Sequence, residues 1–276
     1  MLSPIGVFDS GVGGLTVAAA LRQILPSEHI LYIGDTARVP YGAKSPETIQ
    51  RYGLELGHLL LKHHAKIIVV ACNTASAIAV PKMRNILPVP IQGVIGPGAK
   101  AATKTTRNSK IGVIGTRATI TSGAYEKRIH QLAPNARVFS TACPLLVPLI
   151  EEGLFDDPIT EQMILRYLTP LLRQGIDTLV LGCTHYPLLA PAIQHLVGPD
   201  IRLVDSAKNC AAEVARLLKN KNLLAPSQPH QKGRLDVTLT DSSTSFLHLA
   251  REALSLEFDS FNIISPESHL EFATAK

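Results

Sequence analysis

The feature that most limits what this chain can fold into is a series of short apolar runs, nearly continuous in Ile, Val and Leu, separated by helix-like segments. "IGVFD" (5–9), "ILYIGD" (30–35), "IIVVAC" (67–72), "IGVIGT" (111–116), "TLVLGC" (178–183), "IRLVD" (201–205) and "RLDVTLT" (234–240) all fit this description. A strand that is apolar on both faces must be covered on both faces, which is the situation of a parallel sheet flanked by helices. Between the runs, residues 46–64 place Ile49, Tyr52, Leu56, Leu59 and His63 at helical spacing. Ser45-Pro46 supplies a cap and a first-turn proline, and Lys62 and Lys66 stand near the far end. The expected fold class is therefore α/β with largely parallel sheets.

The pattern also recurs. "IGVFDSGVGGLTV" opens the chain and leads to a strand ending in Cys72; "IGVIGTRATITSG" opens a second section at 111 and leads to a strand ending in Cys183. The spacing is too long for a solenoid repeat. It predicts two similar lobes, each a mostly parallel sheet, related by pseudo-two-fold symmetry. The first lobe is expected over 1–95 plus 207–276 and the second over 96–206. "PVPIQGVIGPGAKAA" (88–102) is the expected first crossing and 203–218 the return. Residues 220–233 read as a loop, and a helix is expected within 240–254, capped near Asp241 or Ser242.

Composition excludes several classes. With 46% apolar and 18% charged residues the chain can bury a full core. The net charge of +5 comes without a dense basic block or interleaved aromatics, so a nucleic-acid partner is not expected. No secretory leader is visible and no apolar run reaches the ~18–20 residues of a membrane span, which together predict a cytoplasmic protein. The four cysteines, Cys72, Cys143, Cys183 and Cys210, form no C-x-x-C pair, so structural zinc is not expected and free thiols are.

Ligands of open α/β sheets bind at the carboxyl ends of strands. Cys72 and Cys183 both fall there, each before an expected helix start whose N–H groups favour a thiolate or hold a carboxylate. Buried free cysteine is the bland alternative, and Cys143 and Cys210, without a strand-end context, are assigned to it. "FDSGVGGLTV" (8–17) lacks both dinucleotide and P-loop spacing and reads as an anion-cradling turn, with Asp9 either in the site or capping the turn. Tyr41 and Gly42, in the polar loop 34–45, either touch ligand or plug the packing. Glu151 and Glu152 end an apolar run and either tune a neighbouring acid or sit as a solvated pair. His185, two residues after Cys183, can polarise a thiol or bind substrate. Two thiols flanking one carbon from opposite sides suit removal of a proton from one face and its return to the other, with no cofactor or metal.

The motifs "FDSGVGGLTV", "GDTARVPYG", "VVACNTASA", "CPLLVPLIEEG" and "LGCTHYPLL" together resemble the aspartate/glutamate racemase superfamily, and within it the glutamate racemases. The resemblance implies cofactor-independent interconversion of L- and D-glutamate for peptidoglycan synthesis, in a homodimer of two-lobed chains with the site between the lobes. It implies Cys72 and Cys183 as acid/base residues, the first acting on the D and the second on the L enantiomer. Asp9 and His185 would tune them, with Glu151 a likelier helper than Glu152. Ser10, Tyr41, Gly42, Asn73, Thr74 and Thr184 match substrate-binding positions. Aspartate racemases are the nearest rival; they tend to carry an acidic residue where this chain has His185. Other classes are a small-molecule binding protein with structural cysteines and a disulfide switch.

Overall fold

The computed structural model describes residues 3–226, 232–242, 250 and 254–265. Two separate sheets form. The first contains β1 (Ile5–Asp9), β2 (Ile30–Gly34), β3 (Ile67–Val70), β4 (Ile91–Gly93), β9 (Leu235–Leu239) and β10 (Ser260–Ile263), in the order β10-β9-β2-β1-β3-β4. The second contains β5 (Lys110–Gly115), β6 (Arg137–Ala142), β7 (Thr178–Gly182) and β8 (Arg202–Asp205), in the order β6-β5-β7-β8. Every neighbouring pair is parallel. The stretch β2-β1-β3-β4 has the same order as β6-β5-β7-β8, so the recurrence in the sequence is a recurrence of topology.

Alternate side chains of each strand enter different cores, as the two-residue period requires. Ile5 and Val7 face a core shared with α1 (Leu15–Ile24) and α11 (Ser206–Asn220), whereas Phe8 faces α2 (Pro46–Lys62) and α4 (Val80–Ile86). In the second sheet Ile111 and Val113 face α5 (Ile95–Thr105) and α7 (Ala124–Leu132). Ile114, Leu179 and Leu181 face α9 (Pro158–Leu172) and α10 (Ala190–Val197) and join the core that also holds Ile5 and Val7. Full burial of each such side chain contributes about 1.5–3 kcal/mol, so this shared core is a strong tie between the lobes. The chain passes from the first sheet to the second through α5 and returns through α11, and these two helices pack on each other. Asp205 starts the return by accepting from Ala207 N at 2.7 Å.

Several expectations are refined. The helix read over 46–64 ends at Lys62, with Ser45 Oγ accepting from Thr48 N at 3.3 Å; His64 turns into the left-handed region at φ 59°. Lys66 lies beyond that helix and pairs with Glu28 instead of the helix end. The expected first crossing, 88–102, contains β4, and only α5 makes the crossing. Strands β6 and β10 went unread because both are partly exposed edges with mixed composition. The helix expected within 240–254 falls almost wholly outside the described residues. Among the described residues no helix is long and apolar enough to cross a membrane.

Candidate active site

In both sheets the chain leaves the first strand toward one side and later returns on the other. The loops after β1 and β3, and after β5 and β7, therefore diverge and open a crevice. Cys72 and Cys183 occupy these two positions, two residues beyond β3 and one beyond β7. Both are 5% exposed.

On the first side, Asp9 ends β1 and is fully buried. Gly11 N donates to its Oδ2 at 3.0 Å, and Tyr32 from the neighbouring strand donates to Gly11 O at 2.8 Å, fixing the Gly-rich turn over the strand ends. Cys72 caps α3 (Asn73–Ile78), its sulfur accepting from Ala75 N at 3.4 Å. The expected helix start is present, yet it does not lower the thiol's pKa. Burial and the charge of Asp9 outweigh the hydrogen bonds from Ser10 and Ala75 and push Cys72 up to about 12, so it rests as a thiol. Burial likewise raises Asp9, against the opposing pull of the His185 charge and the N–H groups of Gly14, Gly11 and Ser10. Asp9 Oδ1 and Asn73 Nδ2 are buried without a hydrogen-bond partner among the described residues.

The second side is built differently. Cys183 is followed by a turn and a short 3-10 helix, Tyr186–Leu189, and α10 begins only at Ala190, so no α-helix starts at this cysteine. A histidine stands there instead. His185 Nδ1 lies 3.8 Å from the Cys183 sulfur, and Nε2 lies 3.1 Å from Glu151 Oε1, the last residue of α8 (Leu146–Glu151). Burial works to lower the His185 pKa, but the hydrogen bonds to Cys183 and Glu151 and the charges of both prevail and raise it to about 10. Of the two adjacent glutamates, Glu151 reaches the imidazole, while Glu152 is exposed.

The two sides meet. A Cβ on Gly13, in the first lobe, would lie 2.4 Å from His185 Nδ1 and from Thr184 Oγ1. Thr16 Oγ1 donates to Thr184 O at 3.1 Å. Tyr125, in the second lobe, donates to Asn73 Oδ1 at 2.7 Å. Thr74 Oγ1 stands 2.9 Å from Thr116 Oγ1 and 3.1 Å from Thr119 Oγ1, and Gly42 abuts Thr116. Asp9, Ser10, Cys72, Asn73, Thr74, Cys183, Thr184, His185 and Glu151 thus gather at one junction. The Tyr41 hydroxyl is committed to Asp35, and the ring is buried beside Tyr52, which is the packing alternative for that side chain. Thr116, Thr119 and Tyr125 were not picked out from the sequence. For Thr116 a signal existed, since it follows β5 as Ser10 follows β1. Cys143 and Cys210 are fully buried, and burial raises both thiols to about 12.

Comparison with known proteins gives the family and the fold. The family model described as Asp/Glu/hydantoin racemase matches residues 15–214. A glutamate racemase of Syntrophus aciditrophicus is 52% identical over 237 residues, covering 86% of this chain and 88% of that protein. The structure superposes on that of a Bacillus anthracis glutamate racemase isoform with TM-score 0.91 and 42% identity, covering 95% and 97% of the two chains. It superposes on a Francisella tularensis glutamate racemase in complex with D-glutamate with TM-score 0.89 and 37% identity, covering 96% and 98%. The chain belongs to the Asp/Glu/hydantoin racemase family, on its glutamate racemase branch.

Proposed function

We propose that this chain interconverts L- and D-glutamate without a cofactor, by two-base proton transfer at Cα between Cys72 and Cys183. The observation that carries the reading is the placement of one cysteine at the same switch point of each of two sheets with the same strand order. In the L-to-D direction the Cys183 sulfur takes the Cα proton from one face, leaving a carbanion. The Cys72 thiol then gives its proton to the opposite face and is left as thiolate. Reversal exchanges the two roles.

The surroundings support this division. Cys72, pushed up to about 12, rests protonated and is ready to act as the acid. When that thiol must instead lose its proton, Asp9, whose own pKa burial raises, is the adjacent acceptor. On the second side His185, held protonated by Glu151 and Cys183, places a positive charge beside the sulfur. The substrate carries an ammonium group and carboxylates. Asp9 Oδ1 offers a buried acceptor and Asn73 Nδ2 a buried donor to such a molecule. Ser10, Gly42, Thr74 and Thr184 complete the binding residues, with Tyr41, its hydroxyl held by Asp35, packing the loop that carries Gly42. Fixed donors in a site closed to water stabilise the carbanion. The product feeds peptidoglycan synthesis in the cytoplasm, and the active species is a homodimer. We take the lobe boundaries at 95/96 and 206/207, each one residue into a crossing helix, α5 from Ile95 and α11 from Ser206.

The test is exchange of Cα hydrogen for deuterium when either enantiomer of glutamate is incubated in heavy water with no added pyridoxal phosphate, nicotinamide or metal. Wild type should incorporate deuterium and racemise, while Cys72→Ala and Cys183→Ala should each lose racemisation. Normal racemisation by both single variants would remove the two-thiol mechanism, and faster turnover of aspartate would reassign the substrate.

A further inference from the structure

A primary amide can present either its oxygen or its nitrogen to a ligand, and the two choices have opposite consequences for a carboxylate. Asn73 directly follows Cys72 and is 2% exposed. Its Oδ1 accepts from the Tyr125 hydroxyl at 2.7 Å, which leaves Nδ2 as the other, buried and unpartnered end.

Tyr125 is itself tightly held. Its ring lies in a slot whose walls include Gly98 and Gly182: a Cβ at Gly98 would lie 3.2 Å from Cε1 and from the hydroxyl oxygen, and one at Gly182 would lie 3.1 Å from Cε2. The side chain is 2% exposed. Burial raises the phenol's pKa above its usual value, so the hydroxyl keeps the proton it donates. The ring belongs to α7 in the second lobe, whereas Asn73 opens α3 in the first, so this hydrogen bond also spans the lobe junction.

We propose that Tyr125 is a positioning residue that locks the Asn73 amide with its N–H₂ facing the substrate. With the Tyr125 hydroxyl donating to Oδ1, Nδ2 faces the other way. The amide is then pre-oriented as a donor to an anionic group of the amino acid, and the orientation holds only while the lobes meet as they do here. This inference rests on the reading of Asn73 as a substrate contact.

A double-mutant cycle tests it, with KM and kcat measured for both glutamate enantiomers by polarimetry. Asn73→Ala should raise KM about tenfold. Tyr125→Phe, which keeps the ring in its slot, should raise KM about fivefold by freeing the amide, and should add nothing in the Asn73→Ala background. Equal effects of Tyr125→Phe in both backgrounds, or no effect in either, would overturn the positioning role. An unchanged KM in Asn73→Ala would instead refute Asn73 as a substrate contact. Asn73→Asp gives a second readout that leaves Tyr125 in place. Its carboxylate would accept from Tyr125 and turn a second acceptor toward the substrate, so KM should rise further than in Asn73→Ala. An Asn73→Asp enzyme binding glutamate better than Asn73→Ala would show that a donor is not needed there.

Discussion

Glu151 Oε1 sits 3.1 Å from His185 Nε2, at the opposite end of the imidazole from the Cys183 sulfur, which lies 3.8 Å from Nδ1. A carboxylate, an imidazole and a thiol in line let a charge at one end decide the protonation of the middle group.

Replacing Glu151 by Gln keeps a hydrogen-bond acceptor but removes that charge. The His185 pKa, about 10 in the intact protein, should fall by about 1 unit. The alkaline limb of the pH–rate profile for L-glutamate should move to lower pH, with kcat down about tenfold. A profile that superposes on wild type would separate Glu151 from the His185 titration.

The same imidazole makes stability depend on pH. Its pKa rises from 6.5 to about 10 on folding, so its contribution is fully present below 6.5 and is lost as pH climbs through about 10. The thermal midpoint should therefore decline between pH 7 and 10 in wild type, and His185→Asn should flatten that slope. Thermal melts of the two proteins across this range, in one buffer series, make the comparison.

Gly13→Ala places a Cβ where His185 and Thr184 already stand, 2.4 Å from each. Both neighbours are buried, so the turn or the histidine has to move. The expected cost is about 1–3 kcal/mol of stability, read from denaturant melts. Activity should fall further than stability, by more than about tenfold, because a small shift of a catalytic group costs positioning.

Far from the site, Lys66 Nζ lies 2.6 Å from Glu28 Oε2 and donates to Leu223 O at 2.7 Å, while Ala225 N donates to Glu28 Oε1 at 2.7 Å. At Oε2 the pair is an electrostatic contact off the hydrogen-bonding direction, and Glu28 is 2% exposed. Lys66→Met would strand a buried carboxylate and should cost about 3–5 kcal/mol in urea unfolding. Turnover per folded molecule should stay at the wild-type value.

What could be read from the sequence was whatever lies close to a strand end along the chain. Asp9, Cys72, Cys183 and His185 were legible because each follows an apolar run directly, and strand ends are where α/β sheets bind ligands. The choice of Glu151 over Glu152 was not legible, because it depends on the phase of a short helix against a histidine 34 residues away. Thr119 and Tyr125 enter only when one lobe is laid on the other. The pKa of Cys72 was expected to fall and instead it rises, because the helix start is visible in the sequence and the depth of burial is not. Strands β4, β6 and β10 were missed for the converse reason: a three-residue strand and two exposed edges carry too little apolar pattern to read.

The first sheet is completed by a segment made last. Strand β9 pairs with β2 from Ile30↔Leu235 to Gly34↔Leu239, after the whole second sheet has been threaded. During synthesis β2 therefore waits with an open flank until the ribosome has passed residue 239, and open flanks invite pairing with other chains. A nascent or prematurely terminated polypeptide stopping short of that point has all four second-sheet strands and both Cys72 and Cys183, but should accumulate as aggregate.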